Sequence, residues 1–133
     1  MKDLKDKKAK TKKKSTVVVS QNGKVFVTAT FNNTLVSISN DKGDVVTWSS
    51  SGSRGFKGAR KSTPYAATKA AEQAGAAAYA GGVREVAIFV KGAGLGRISS
   101  IKALKSAGLN VVSISDQTPM PHNGCRPKNR RRI

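Results

Sequence analysis

Four cations stand within eight positions in the stretch Gly52-Ser53-Arg54-Gly55-Phe56-Lys57-Gly58-Ala59-Arg60-Lys61-Ser62-Thr63-Pro64, and glycines separate them. Glycine lets a backbone approach a ligand closely, and Thr63-Pro64 reads as an N-cap followed by proline at the first helical position. The free N–H groups and the dipole of a helix starting there favour an anion. A chain of phosphates suits this chemistry; the alternative is a solvated, flexible loop. Phe56 fits either stacking on a base or anchoring the loop to a core.

A second constellation is Lys91-Gly92-Ala93-Gly94-Leu95-Gly96-Arg97, placed between a strand-like run and a helical one. Its G-x-G-x-G spacing suggests a backbone wrapped on phosphate. It lacks the third glycine at dinucleotide spacing, the Gly-Lys-Ser/Thr ending of a P-loop, and an acid about 20 positions on in a ribose-binding context. A polymer phosphate is the better ligand. The third constellation runs from Thr118 to Lys128, with Pro119, Pro121 and Pro127, then Asn129, Arg130, Arg131 and Arg132. Prolines forbid a helix and hold the chain extended, the shape of a cationic strand threaded along an RNA groove; the alternative is a disordered solubilising tail. Asn123-Gly124 is also a step open to succinimide formation, because glycine does not shield the backbone nitrogen. Conversion of Asn123 to isoaspartate is the expectation, and an unmodified chain in peptide mass spectrometry with an isoaspartate-specific probe would refute it.

Catalysis is not supported. Outside the first 14 residues the acids are Asp41, Asp44, Glu72, Glu85 and Asp116. Asp41 and Asp44 fall in a turn and Glu72 on the outer side of an alanine-rich helix, so no carboxylates converge. His122 has no orienting partner, and a His122–Cys125 dyad in a basic tail has nothing to shape it. One histidine and one cysteine also fall short of the four ligands of a structural zinc site. The expectation is a binding protein with no catalytic residue, no metal and no cofactor.

The composition agrees. The chain has 133 residues, 25 basic against 7 acidic, a formal charge of +18 and 38% apolar residues. That length makes one domain with a modest core, and that charge implies a polyanionic partner. No apolar run of about 18 residues exists to cross a bilayer, and the lysine-rich start is followed by no signal-peptide pattern. A lone cysteine forms no internal disulfide, which suits a reducing compartment. Residues 1–14 hold eight lysines against Asp3 and Asp6, and the last twelve residues hold five cations and no acid. The division expected is a disordered basic arm over 1–14, a globular domain over 15–117 and an extended basic tail over 118–133.

The elements that must position these residues are legible in outline. Val17–Val19, a turn at Gln21–Lys24 and alternation over Val25–Phe31 predict a hairpin. Turns at Asn32–Asn33 and Asn40–Gly43, with strands Leu35–Ser39 and Val45–Ser49, extend it into an antiparallel meander. From Pro64 to Ala80, nine of 17 residues are alanine, and Gly81-Gly82 closes this helix; such a helix can lie very close to what it covers. Val83–Val90 reads as a buried strand, Gly96–Ala107 as a helix and Leu109–Ser115 as a strand, a βαβ unit requiring parallel pairing. On the second helix Ile101, Ala103, Leu104 and Ala107 form the buried arc, leaving Lys102 and Lys105 outside with Ile98 beside them. The fold class is α/β: one mixed sheet with two helices packed on it.

Phe31-Asn32-Asn33-Thr34, Gly55-Phe56-Lys57-Gly58, Arg60-Lys61-Ser62-Thr63-Pro64-Tyr65-Ala66-Ala67, Lys91-Gly92 and the run from Asp116 to Pro127 resemble the bacterial-type small-subunit ribosomal protein eleven family, over about Val25 to the C-terminus. The resemblance implies a ribonuclease-H-like, three-layer α/β core without nuclease activity on the platform of the small subunit. It implies contact with the central and 3′ parts of the small-subunit RNA, near messenger RNA and the exit site. Ribosomal proteins six, seven, eighteen and twenty-one would be neighbours. By position, the RNA contacts it implies are Asn32, Asn33, Arg54, Lys57, Arg60, Lys61, Lys91, Arg97, His122, Asn123, Arg126, Lys128, Arg130, Arg131 and Arg132; Ser62, Gly92, Lys102 and Lys105 complete the candidate set. No membrane and no homo-oligomer are expected. A cytoplasmic ribosome is the expected location, with an organellar one left open. The chain departs from the family pattern at Ala93 and Leu95, where prolines are usual, at Ile98, where an acid is usual, and at Thr68 in place of glutamine, so the glycine turn should be less rigid. A different class, a free nucleic-acid packing protein, is disfavoured by few aromatics and no groove-reading helix. A cationic membrane-surface peptide is disfavoured because neither helix pairs a basic face with a bulky apolar one.

Overall fold

The computed structural model describes residues 19–132. The expected basic arm over 1–14, and Val17 and Val18 of the expected first strand, lie outside the described residues. The elements are β1 (Asn22–Ala29), β2 (Thr34–Asn40), β3 (Val45–Ser50), two short 3-10 turns (Gly52–Arg54 and Gly58–Ser62), α1 (Pro64–Gly81), β4 (Glu85–Lys91), α2 (Gly96–Ser106) and β5 (Asn110–Asp116). They form one five-stranded sheet in the order β3-β2-β1-β4-β5. The β1–β2 and β2–β3 pairs are antiparallel, and the β1–β4 and β4–β5 pairs parallel. The meander, the βαβ unit and the α/β class are as expected.

The opening hairpin is a correction. Asn22-Gly23 begins β1 instead of reversing the chain, because β1 is the central strand with β2 on one edge and β4 on the other. No edge is left for a preceding antiparallel partner. The buried Gly23 also lies where a Cβ would press on the Ser39 carbonyl oxygen at 2.8 Å, a packing reason for glycine there.

Alternation along β1, β2 and β4 turns Val25, Val27, Val36, Ile38, Val86, Ile88 and Val90 to one face, where they join Ala71, Ala74, Ala78, Ala103, Leu104 and Leu109 in one core. Both helices contribute to this core. Gly75 of α1 sits so near Ala107 that a Cβ there would approach the alanine methyl to 2.9 Å, the close approach expected of a small-residue helix. The opposite face carries Phe26, Leu35, Trp48 and Phe89, with the Phe26 and Phe89 rings stacked 5.5 Å apart. Among the described residues no helix covers that face. Both crossovers return on the same side of the sheet, so the two helices share one face and one core.

Both ends of α1 are as read from sequence. The Thr63 hydroxyl accepts from the Ala66 N–H at 3.3 Å, Pro64 occupies the first turn, and Gly82 at φ 114° ends the helix in the left-handed region. Val83 is drawn into that closure, its N–H donating to the Ala78 carbonyl. For this reason β4 starts at Glu85, two residues later than the buried strand read over Val83–Val90.

Candidate nucleic-acid interface

The topology carries the three constellations to one end of the sheet. The parallel strands β1, β4 and β5 finish there, β3 also finishes there, and both helices begin there. The turn holding Asn32 and Asn33, the loop from Ser51 to Thr63, the glycine turn after β4 and the tail after β5 are consequently neighbours. Backbone bonds stitch them together: Ser51 N–H to the Thr34 carbonyl at 3.1 Å, Gly94 N–H to the Ala29 carbonyl at 2.8 Å, and Gln117 N–H to the Val90 carbonyl at 2.8 Å. Charge is sorted along the same axis. Asp41 and Asp44 lie in the β2–β3 turn and Glu85 at the start of β4, all at the opposite end, while the one acid of the described residues at the cationic end, Asp116, is paired with Arg97. Two helix N-termini add their partial positive charges to the cationic end.

The Ser51–Thr63 loop is built, not floppy. Ser53 and Ser50 exchange bonds, with Ser50 N–H donating to the Ser53 hydroxyl at 2.9 Å and Ser53 N–H to the Ser50 hydroxyl at 3.0 Å. Phe56 meets Tyr65 edge-on at 5.8 Å, so it anchors the loop to the first turn of α1 and not to the core. The Thr63 hydroxyl, besides capping α1, donates to the Arg60 carbonyl at 2.7 Å. Around this frame Arg54, Lys57 and Arg60 surround a concavity of about 410 Å³ with Gly55 and Phe56. The ion pairs among the described residues are Lys69–Glu72 and Arg97–Asp116, so Arg54, Lys57, Arg60 and Lys61 carry uncompensated charge. Ser62 spends its hydroxyl on the Ala59 carbonyl at 3.0 Å. Asn33 uses its side-chain oxygen to accept from Thr34 N–H at 2.9 Å, whereas the Asn32 side chain is exposed.

The glycine turn has a packing cause. A Cβ on Gly92 or Gly94 would overlap the backbone of Ala29 and Thr30, and one on Gly96 would overlap Thr34 and Ala67. The spacing lets this turn lie flat on the end of β1 and against α1. The Gly92 N–H is already given to the Thr118 hydroxyl at 3.2 Å, which leaves the exposed Lys91 as this turn's free cation.

Asp116 is the residue whose part sequence reasoning missed. Its carboxylate accepts from the Thr118 N–H at 2.9 Å, the Thr118 hydroxyl at 2.6 Å and Arg97 Nη2 at 2.6 Å. It thereby fixes the direction in which the tail leaves the sheet. An aspartate two residues before Thr118-Pro119 was the available signal, since short acidic side chains bond the backbone two residues on. The Thr118 hydroxyl, then its N–H, and then Arg97 hold the Asp116 carboxyl at about 2, below its ordinary 3.8. A lowered value means the anchor contributes above about pH 3.8 and is lost as pH falls through about 2. In the wild-type chain the Thr118 amide resonance is expected to titrate with a midpoint near 2. Asp116→Asn should abolish that titration; an unchanged midpoint would rule out this carboxylate as its source.

Two parts of the candidate set do not join this end. Lys102 and Lys105 lie farther along α2, exposed on its outer side. The residues His122, Asn123, Arg126, Lys128, Arg130, Arg131 and Arg132 are exposed on the extended tail, with Asn123 at φ 56°. The tail starts at the cationic end through the Asp116–Thr118 anchor, and its residues beyond that anchor are exposed.

Residues 23–132 match the family described as Ribosomal protein S11. A relative from Christiangramia forsetii, Small ribosomal subunit protein uS11, is 56% identical over 126 residues, covering 95% of this chain and 95% of the relative. The protein of the same description from Flavobacterium psychrophilum is 51% identical over 126 residues, covering 95% and 98%. Small ribosomal subunit protein uS11c from Phaeodactylum tricornutum is 51% identical over 129 residues, covering 94% and 99%.

Proposed function

This chain belongs to the ribosomal protein S11 family, and from that membership we propose that its cationic end binds small-subunit ribosomal RNA and shapes the platform next to the messenger RNA exit site. It is a structural protein of the small ribosomal subunit and not an enzyme. The observation that carries the RNA reading is the gathering of unpaired cations and two helix N-termini at the end of the sheet from which the tail departs. Folded RNA suits that arrangement because phosphates crowd where its helices join, and rigid loops can match a fixed spacing of charge.

In this reading Arg54, Lys57, Arg60 and Lys61 take the phosphate backbone, with Asn32, Ser62, Lys91 and Gly92 beside them. Asn33 and Arg97 serve mainly to hold the turn and the tail anchor. His122 to Arg132 thread outward along RNA, an extended cationic strand whose entry angle Asp116 sets. Ribosomal proteins six, seven, eighteen and twenty-one are the proposed neighbours, and a cytoplasmic ribosome the proposed location.

Sedimentation of a lysate on sucrose gradients tests the reading. The chain should travel with small subunits through moderate salt, and release into the free fraction would contradict it. Changing Arg60 and Lys61 to alanine should reduce incorporation into particles more than deleting Lys2–Lys8, since the two loop cations sit on a fixed frame. Equal incorporation of the two variants would contradict the loop's part.

A further inference from the structure

The helical layer stops short of the sheet's last strand. α1 packs over β2 and β3, and α2 lies against α1 and β1. Among the described residues β5 pairs only with β4, and all of it except Val111 is exposed. Between α2 and β5 runs a groove of about 390 Å³ lined by Leu95, Ile98, Ile101 and Ile114 over Val90. Leu95, Ile98 and Ile114 are 70%, 66% and 55% exposed, a large apolar outlay in a chain carrying a formal charge of +18.

The chemistry of the groove selects its occupant. Apart from the Arg97–Asp116 pair at one end, the lining is apolar and offers a nucleic acid neither a donor nor a plane on which a base stacks, so burial against other apolar side chains is what the site rewards. Lys102 and Lys105 follow Ile98 and Ile101 by four positions each, placing a basic row along the groove's outer wall. The acid at the groove, Asp116, is already committed to Arg97 and Thr118. That rim calls for carboxylates on the partner and repels this chain's own lysine-rich start and arginine-rich tail. The outer edge of β5 has backbone groups that no strand of this sheet pairs, a template for an added strand.

We propose that the α2–β5 groove docks an extended, acid-bearing segment of another protein, added as a sixth strand along β5 with alternate apolar side chains seated between Ile98, Ile101 and Ile114. The proposal rests on membership of a ribosomal subunit, not on the RNA contacts, and it reassigns Lys102 and Lys105 from RNA to protein. The test uses small subunits assembled with the chain carrying photo-reactive benzoylphenylalanine in place of Leu95, with cross-link yield counted per incorporated chain. Mass spectrometry should place the link in a protein segment that alternates apolar residues and carries carboxylates. Ile98→Glu, or Lys102→Glu with Lys105→Glu, should lower the yield roughly tenfold, the scale of lost complementarity at such a contact. Lys42→Glu, at the opposite end of the sheet, should leave it unchanged. A link to RNA, to a second copy or to a basic segment, no link at all, or a yield indifferent to Ile98→Glu would each overturn the proposal. Incorporation and RNA affinity of the same variants, measured in parallel, keep that outcome distinct from a failure of the RNA reading.

Discussion

Replacing Gly94 with alanine is expected to lower the melting temperature by about 12 °C or more, following a loss of roughly 3 kcal/mol of stability. The added methyl would meet the carbonyl oxygen of Thr30 and the backbone of Ala29. Backbone atoms cannot swing aside as a side chain would, so the turn must lift off the end of β1. Lifting breaks the Gly94 N–H bond to the Ala29 carbonyl at 2.8 Å and loosens the neighbouring Gly92–Thr118 bond at 3.2 Å. Gly43 supplies the comparison. It has φ 96° but nothing within 4 Å of its added Cβ, so Gly43→Ala should cost only the left-handed penalty of about 1 kcal/mol. Thermal melts of the two variants separate close approach from backbone conformation. Equal losses would mean that the glycine turn does not need its contact with β1. Gly94→Ala should also weaken RNA binding, but only in step with unfolding.

Changing Arg54, Lys57, Arg60 and Lys61 together to alanine should lower affinity for small-subunit ribosomal RNA by about three orders of magnitude at 0.1 M salt. Each phosphate contact releases counterions and adds about 0.7 to 0.9 to the slope of log affinity against log salt, so four lost contacts flatten it by about 3. The stability of the fold should hardly move. None of the four is buried, and the ion pairs among the described residues do not involve them. A filter-binding series across salt concentrations, with a thermal melt of the variant, gives both readings. A large loss of affinity with the original slope retained would show that these residues act through something other than phosphate neutralisation. A large drop in melting temperature would show that the loop supports the fold itself.

Several features were legible because they depend on near neighbours in the chain. The Thr63-Pro64 start and Gly82 end of α1 are local geometry, governed by which backbone angles proline and glycine accept. The meander was legible for the same reason: turn residues at Asn32–Asn33 and Asn40–Gly43 separate short alternating strands. Position within the sheet was not legible. Gln21–Lys24 has the composition of a turn, and only the pairing of β1 on both edges forces it to stay extended.

The site divides along the same line. Sequence placed the cations of the Ser51–Thr63 loop and named their chemistry, since charge and glycine content travel with the residues. It could not separate glycines that admit a ligand from glycines that admit another part of the chain, and for Gly92, Gly94 and Gly96 packing against β1, β2 and α1 accounts for the spacing. It gave Asp116 no part, because the anchor needs Arg97 brought from 19 residues away by the turn of α2 against β5.

By itself, then, the chain determined the chemistry from which its partner is proposed: the excess of positive charge, its concentration in a glycine-rich loop and a proline-bearing tail, and the want of converging acids are properties of composition and local order. Tertiary structure decided where those charges act. Parallel pairing of β4 and β5 onto β1 and antiparallel pairing of β3 through β2 bring the loop, the glycine turn and the root of the tail to one end and send the acids of the β2–β3 turn to the other. It also set Leu95 and Ile98 beside Ile114 in one groove. Long-range pairing is the physical cause in both cases, for a side chain's surroundings are fixed by strands and helices that its own neighbours in sequence cannot specify.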